Sequence, residues 1–334
     1  MTTRRRPDFL IKTLRSIQKQ TVPELEVIVS DNDTAGSARE VVEGLGDERF
    51  RYQLNEADLG MNASFNRSLA KARGEFVVMI TDDDPIYPDM LETLRDLSVQ
   101  YPGFGAYSGG CDVVQLNPEL ARFTLHRVGT NSCLAAIPFG TVRTFSAQEF
   151  PHVFFSGELD MYLFMSVGMV KRDIALAVKG MPDYGSPYLG DFAFTAGSFS
   201  RAGCAIINKS LGVQTVHDFN FGRKERGEMK TAALGFVDWM SKEFSNRPDW
   251  PQLKPKVERF VGQWMVLHSL FLKQYLKHYN IKDHDLKPIV RELFSIPFIR
   301  QLRPYYYFGG LFMAFQHLQA DLRRHGLRRL ARLK

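Results

Sequence analysis

The sequence of 334 residues predicts an α/β protein whose mostly parallel sheet is flanked by helices and followed by a helical extension. Short apolar runs rich in β-branched residues alternate with helical patterns up to about residue 100, which is typical of βα units. One such run, at 76–80, leads into three consecutive aspartates. From about residue 227 onward only helical spacing remains. We therefore divide the chain into residues 1–225 and 226–334.

The elements are predicted from local patterns in chain order. Helix 7–20 begins with Pro7, which suits a first helical position, and repeats apolar residues at Leu10, Leu14 and Ile17. Further helices and strands are predicted in alternation along the chain. The helices are 37–45, 63–72, 172–179 and 192–201, and the strands are 25–30, 50–54 and 76–80. Glycine and proline cluster at 180–190, which predicts a mobile loop.

The composition is that of a soluble globular protein, with 44% apolar and 24% charged residues. Cys111, Cys133 and Cys204 have neither metal-ligand spacing nor the pattern of a disulfide framework, so we expect a cytoplasmic protein. No run approaches the ~20 apolar residues of a membrane-spanning helix. The net charge of +6 comes without a nucleic-acid-binding module, so we expect no nucleic-acid partner.

The three adjacent aspartates Asp82–Asp84 follow an apolar strand, at the position where open α/β sheets bind ligands. Their mutual repulsion suits a hard divalent cation, because Mg²⁺ and Mn²⁺ take oxygen ligands and share them with substrate phosphates. The alternative is an acidic turn, since Asp and Pro both favour turns. These residues alone leave both interpretations open.

Five blocks in a fixed order carry a family resemblance. They are Arg6–Leu10, Val27–Asp33, Leu59–Asn66, Arg73–Phe76 and Thr81–Asp84. Their order and spacing resemble glycosyltransferase family 2, the inverting enzymes of the Rossmann-like GT-A fold that use nucleotide sugars. The resemblance extends over residues 5–95, more loosely to about residue 220, and not into the helical extension.

The resemblance implies a role for each matching residue. The nucleotide-binding positions are Thr3, Asp31, Asp33, Asn62, Asn66 and Asp82. The implied metal ligands, for Mg²⁺ or Mn²⁺, are Asp84, Asp82 and His217, although a lone histidine is more often structural. In the family a Glu-Asp pair carries the catalytic base. Here it corresponds to Gly190 and Asp191, so Asp191 is the candidate base, with a helix N-cap as its alternative role. Asp160 either faces the acceptor or caps a strand.

The implied reaction moves a sugar from a nucleotide diphosphate, most commonly of UDP, to a hydroxyl of a glycan or lipid-linked acceptor in surface-polysaccharide synthesis. A sugar-nucleotide nucleotidyltransferase is a rival, but the basic glycine-rich loop it needs is not found near the start. A non-catalytic binding or scaffold subunit is a second rival. Metal-dependent release of nucleotide from a sugar donor would separate these functions.

The C-terminal segment 296–334 combines aromatic residues with a basic, leucine-spaced end, because residues 321–334 hold six Lys or Arg and one acid. An amphipathic helix of this kind lies on anionic lipid, which predicts peripheral contact with the inner face of the cell membrane. The alternatives are a helix packed on the catalytic domain and self-association into a homo-oligomer.

The start of the chain departs from the family. There an apolar strand precedes the block that begins at Arg6, and here only residues 1–5 stand before it. We therefore expect the first strand of the family to be missing, and its neighbours to have exposed edges. We further expect the natural start to lie upstream of Met1.

Overall fold

The computed structural model describes residues 1–116, 134, 136–159, 165–218, 220, 228–278 and 286–308. Two predictions fall outside the described residues, namely the role of Asp160 and the basic tail beyond residue 308. In the described part no helix is long and apolar enough to cross a membrane.

The strands are numbered in chain order. They are β1 Thr2–Thr3, β2 Val27–Asp31, β3 Phe50–Leu54, β4 Phe76–Val77, β5 Ala106–Gln115, β6 Val142–Phe145, β7 Gly168–Lys171 and β8 Cys204–Val216.

The first seven helices surround the strands. They are α1 Pro7–Gln18, α2 Arg39–Glu43, α3 Met61–Lys71, α4 Met90–Gln100, α5 Glu149–Ser156, α6 Arg172–Ala177 and α7 Gly190–Ala202. The remaining described helices follow the last strand. They are α8 Met229–Glu243, α9 Trp250–His278, α10 Leu286–Leu293, α11 Pro297–Arg300 and α12 Arg303–Tyr307.

The strands form two sheets. The first has the order β1-β2-β3 with every pair parallel, and Val27 stands opposite Phe50. The second has the order β4-β7-β5-β8-β6, in which β5 and β8 are parallel and the other pairs are antiparallel. A parallel bridge between Thr2 and Thr81 joins the two sheets. The α/β fold is confirmed, and the antiparallel pairs involve strands β6 and β7, where the sequence pattern was weak.

The first strand was expected to be missing. This expectation is wrong, because Thr2 and Thr3 form the short strand β1. Thr2 and Thr3 stand opposite Ser30 and Asp31 of β2, and the Met1 carbonyl accepts a hydrogen bond of 3.0 Å from the Ser30 amide. Beneath Met1 a largely apolar groove of about 950 Å³ separates β2 from residues 76–80. This position in the sheet therefore holds a short strand.

The parallel pairs bring three chain segments to one edge. β1 ends at Thr3, β2 ends at Asp31, and Thr81 is bridged to Thr2. The segments that follow these strand ends, 31–33 and 82–84, therefore lie at the same edge of the sheet. This arrangement places the acidic cluster and the predicted nucleotide-binding acids together.

The described C-terminal helices pack into the core of the preceding region. The ring centroid of Phe260, in α9, lies 5.6 Å from that of Phe154, 5.4 Å from that of Phe155 and 5.5 Å from that of Phe192. These rings belong to one continuous group of buried apolar residues. The boundary near residue 225 stays a prediction, and the helices beyond it share a core with α5 and α7.

Candidate active site

Asp82 is fully buried and held by residues of the chain's first segment. Its Oδ2 accepts a hydrogen bond of 2.7 Å from Thr3 Oγ1, and its Oδ1 accepts one of 2.5 Å from Arg6 Nη2. Thr13 Oγ1 donates to the Asp82 carbonyl at 2.9 Å. Burial, reinforced by the charge of Asp83, raises the pKa of Asp82 to about 7. Asp82 thus ties the acidic segment to β1 and α1.

Asp83 meets the candidate histidine. His217 Nε2 lies 3.0 Å from Asp83 Oδ2, and Arg6 Nη1 donates to the same oxygen at 2.9 Å. Burial pushes the pKa of Asp83 upward, but the hydrogen bond to His217 and the charge of Arg6 outweigh it and lower the pKa. The ring of Phe9 stacks on His217 with centroids 4.3 Å apart. His217 is therefore held between a carboxylate and an aromatic face.

Asp84 is bound to its own surroundings. Its Oδ2 accepts a hydrogen bond from Thr81 Oγ1, and its Oδ1 accepts one of 2.7 Å from the Thr215 amide of β8. Burial and the neighbouring charge of Asp83 raise the pKa of Asp84 well above its ordinary value. Asp84 thereby fastens the acidic segment to the strand that leads to His217.

The donor atoms of the acidic cluster suit a divalent cation only together with a nucleotide. Within the described residues no three His, Cys, Asp or Glu side chains form a group that could hold a metal by themselves. A cation bound with a nucleotide needs only one or two protein carboxylates, since phosphate oxygens and water complete its shell. Asp83 with His217 offers one carboxylate and one imidazole, so the residues fit a nucleotide-bound Mg²⁺ or Mn²⁺.

The acids after β2 lie at the same edge. Asp31 is fully buried and accepts hydrogen bonds from the Asp33 amide at 2.9 Å, the Ala38 amide at 3.0 Å and the Tyr52 hydroxyl at 3.1 Å. Asp33 accepts a hydrogen bond of 3.1 Å from Arg5 Nε. Asp31 thus shapes the loop that follows β2. Its contact with a nucleotide base, like that of Asp33, stays a prediction.

The two asparagines of α3 contact the glycine-rich loop at 180–190. Asn66 Nδ2 donates to the Met181 carbonyl at 2.8 Å, and the Met181 amide donates to Asn66 Oδ1 at 2.8 Å. Asn62 Nδ2 donates to the Pro182 carbonyl at 2.9 Å. Ser64, on the same helix, accepts a hydrogen bond of 2.6 Å from Thr2 Oγ1. Helix α3 therefore connects β1, beside the acidic cluster, to this loop.

Asp191 lies in the first turn of α7, directly after the loop. The N-cap of α7 is Leu189, in the left-handed conformation with φ 63°, so the alternative role of Asp191 as N-cap is wrong. Asp191 Oδ1 accepts a hydrogen bond of 2.9 Å from the Phe192 amide. Burial raises the pKa of Asp191 to about 6. A carboxylate with such a pKa can accept a proton near neutral pH.

The sequence analysis gave no role to Asp83, Arg6 and Phe9, which the structure brings against His217 or Asp82. Arg6 lies in the first of the resembling blocks, and Asp83 lies inside the acidic motif, so both were visible as sequence. Their contacts span more than seventy residues of chain, and local patterns do not reveal pairs so far apart.

The sequence model of the family described as glycosyl transferase family 2 matches residues 1–135. A GalNAc(5)-diNAcBac-PP-undecaprenol beta-1,3-glucosyltransferase of Campylobacter jejuni is 36% identical over 106 residues, or 31% of this chain and 34% of that protein. The succinoglycan biosynthesis protein ExoM of Rhizobium meliloti is 40% identical over 99 residues, or 28% and 32% of the two chains. The chain thus spans about a third of the length of these curated relatives.

Two solved structures are similar over most of the chain. TarS of S. aureus, in complex with UDP-GlcNAc, has a TM-score of 0.55 at 14% identity and covers 92% of this chain and 90% of its own. The mannosyltransferase PcManGT of Pyrobaculum calidifontis, in complex with GDP-Man and Mn2+, has a TM-score of 0.52 at 18% identity, with coverage of 96% and 85%. At these identities the likeness concerns the fold, which is the GT-A fold. Residues 1–135 are accordingly similar in sequence to glycosyl transferase family 2, and the whole chain is similar in fold to these two structures.

Proposed function

We propose that this protein is an inverting glycosyltransferase that moves a sugar from a nucleotide diphosphate to a hydroxyl of a lipid-linked glycan. UDP is the preferred donor nucleotide in this proposal. The proposal rests chiefly on the cluster in which Asp82, Asp83, Arg6 and His217 meet at the carboxyl edge of the sheet. A non-catalytic scaffold has no evident need for this cluster, because buried like charges cost stability.

The donor diphosphate would bind at this edge. A divalent cation held by the Asp83 and His217 side chains, beside Asp82 and Asp84, would stabilise the charge of the departing diphosphate as a Lewis acid. The guanidinium of Arg6, with its side chain 30% exposed, offers a second positive group for phosphate oxygens. Thr3, Asp31 and Asp33 make up the remainder of the proposed nucleotide side, because the side-chain amides of Asn62 and Asn66 are already bonded to the 180–190 loop.

Asp191 would act as the base. The acceptor oxygen forms a bond to the anomeric carbon while the bond from that carbon to the diphosphate oxygen breaks and leaves its electron pair on the diphosphate. The hydroxyl proton passes to the Asp191 carboxylate. Attack opposite the leaving group inverts the anomeric configuration. A positioned carboxylate typically contributes about 10²–10⁴-fold to such a step.

The names of two relatives support the proposed acceptor class. The Campylobacter protein is named for an undecaprenol-linked substrate, and ExoM is named for succinoglycan biosynthesis. We therefore propose a lipid-linked glycan acceptor, used at the inner face of the cell membrane. Flotation with anionic vesicles tests membrane contact: the proposal expects the full chain to float and a chain ending at 308 to float less.

The reaction is tested with a panel of UDP-, dTDP- and GDP-sugars, with and without Mn²⁺ or Mg²⁺, by following release of the nucleotide diphosphate. We expect metal-dependent release from a UDP-sugar, and its loss in Asp83→Asn and Asp191→Asn. If the intact chain releases no nucleotide from any donor, with acceptor lipid present or absent, the enzymatic proposal is overturned.

A matched control is available outside the site. Asp249, directly before α9, pairs with His152 of α5 at 2.7 Å, as Asp83 pairs with His217. Asp249→Asn removes a carboxylate from a similar histidine pair, so we expect donor turnover close to that of the parent. Equal loss in Asp83→Asn and Asp249→Asn would show a general effect on folding and would contradict the assigned role of Asp83.

A further inference from the structure

We propose that Asn62 and Asn66 are positioning residues that fix the candidate base Asp191 by holding the 180–190 loop against α3. This inference rests on the proposed function. It assigns to the two asparagines a task on the acceptor side of the reaction, whereas the family resemblance implied only the nucleotide pocket. They would act on catalysis through Asp191 and without touching the reacting atoms.

The contacts form a three-point attachment. Asn66 uses both ends of its carboxamide on one peptide unit, the carbonyl and amide of Met181, each at 2.8 Å. Asn62 lies one helical turn earlier on the same face of α3 and bonds the Pro182 carbonyl at 2.9 Å. Because α3 is a regular helix, these bonds fix the position of residues 181 and 182 along the helix axis. They also fix the direction in which the loop continues after residue 182.

The loop needs this support because it contains unfavourable backbone. Gly180, Gly185 and Leu189 have positive φ, between 63° and 79°, as does Lys179 directly before the loop. For Lys179 and Leu189 this left-handed conformation is strained, and such strain persists only where the surroundings enforce it. Leu189 stands two residues before Asp191, so relaxation of the loop would move the carboxylate directly.

Asn62 also explains the glycine at position 190. A Cβ added to Gly190 would lie 3.0 Å from Asn62 Nδ2 and 3.1 Å from Asn62 Oδ1. Asn62 is buried, and its amide is committed to Pro182, so it has little freedom to withdraw. The asparagine side chain therefore fills the space that a side chain at 190 would need. Positions 62 and 190 are coupled by packing.

The loop also lies close to the partly buried Asp191. Tyr184 lies near enough for the Asp191 charge to raise the pKa of Tyr184 in addition to the larger effect of burial, and the Tyr184 hydroxyl donates to the Tyr188 carbonyl at 2.6 Å. If the attachment is released, water reaches Asp191 and the pKa of its carboxyl falls toward its ordinary value. This shift distinguishes positioning from a purely structural role.

The experiment compares Asn66→Ala, Asn62→Ala and the control Asn208→Ala in the full chain. Asn208 is another buried asparagine that bonds loop carbonyls, those of Leu134 and Ile137, from β8. The carboxyl pKa of Asp191 is read by NMR with ¹³C-labelled aspartate and assigned with Asp191→Asn. We expect this pKa to fall in both α3 variants and to stay near 6 in Asn208→Ala.

The kinetic arm measures kcat and the donor KM. Misplacement of the base should lower kcat on the order of 10–100-fold in Asn66→Ala, with a smaller change in donor KM. Gly190→Ala should lower kcat in the parent and should be tolerated in the Asn62→Ala background, which gives a non-additive double-mutant cycle.

The outcomes separate the two proposals. An unchanged Asp191 pKa together with an unchanged kcat in Asn66→Ala and Asn62→Ala would overturn the positioning role. Additive effects of Gly190→Ala and Asn62→Ala would overturn the coupling of these positions. Full activity of Asp191→Asn would instead overturn the assigned base, whereas the NMR measurement would still report whether the loop is held.

Discussion

His217 Nε2 lies 3.0 Å from Oδ2 of Asp83, the middle carboxylate of the acidic motif. The sequence analysis paired His217 with the outer aspartates Asp82 and Asp84. In the structure Asp82 is bonded by Thr3 and Arg6, and Asp84 by Thr81 and Thr215. Asp83 is bonded by Arg6 as well, but its contact with the imidazole makes it the proposed metal ligand beside His217.

The first prediction concerns Asp83. Asp83→Asn removes the charge that faces His217, so we expect Mn²⁺ affinity in the presence of donor nucleotide to fall by at least about 10–100-fold. Calorimetric titration of Mn²⁺ measures it, with Asp249→Asn as the control. An affinity equal to that of the parent would return the metal role to the outer aspartates.

The second prediction separates activity from stability at Asp191. Burial raises the pKa of Asp191 from its ordinary 3.8 to about 6, so its charged form opposes folding. The penalty is absent below pH 3.8, grows between the two values and is complete above pH 6. Asp191→Asn should therefore lose about 10²–10⁴-fold in kcat and gain about 1–3 kcal/mol of unfolding free energy at pH 7. Urea unfolding at pH 4 and pH 7 checks the sign, because the gain should vanish at the lower pH.

The third prediction is the pH dependence of the reaction. A base must be unprotonated, so kcat/KM should decline as the pH falls through about 6, the pKa of Asp191. The profile is measured at saturating Mn²⁺ with a correction for nucleotide binding. Asp191→Glu provides the comparison, since moving the carboxylate should change the midpoint. An identical midpoint in that variant would assign this limb to another group.

The fourth prediction tests the aromatic face behind His217. Phe9→Leu keeps an apolar side chain but removes the ring that stacks at 4.3 Å. Stacking of this kind contributes about 0.5–1.5 kcal/mol, which corresponds to roughly two- to tenfold in donor affinity. Donor binding by titration calorimetry measures the loss. Unaltered binding would show that the Phe9 ring does not hold the imidazole in place.

The fifth prediction tests the boundary near residue 225. A chain ending there would expose Phe154 and Phe192, which are 1% and 7% exposed and pack on Phe260. Truncation of one buried phenylalanine to alanine typically costs about 3–5 kcal/mol, and the free energy of unfolding of a whole domain is only about 5–15 kcal/mol. We expect the shortened chain to be insoluble and a chain ending at 308 to fold. Cooperative unfolding of the 1–225 chain would show an independent domain.

Local elements were predictable where sequence neighbours decide them. Strand β3 has the predicted bounds 50–54, and helices α1, α3 and α6 begin within two residues of their predicted starts. The antiparallel insertion of β7 between β4 and β5 was not predictable, because it pairs Lys171 with Phe76 across ninety-five residues.

The residues of the candidate site were likewise predictable only in part. The acidic motif, His217 and Asp191 could be found as residue types in a familiar order. The contact between Asp83 and the imidazole of His217 joins distant segments of the chain, and so does the bond from Asn66 to the Met181 carbonyl. Neither contact can be predicted from local sequence. The left-handed Leu189 is also invisible in sequence, because leucine adopts that conformation only under tertiary constraint.

The close packing of Asn62 against Gly190 limits which sequences the 180–190 loop can accept. A library that varies the 180–190 loop would bring every side chain introduced at position 190 into close contact with Asn62. Smaller residues at position 62 would have to be included with every side chain introduced at 190. These two positions are more than a hundred residues apart in sequence, but they have to be varied together.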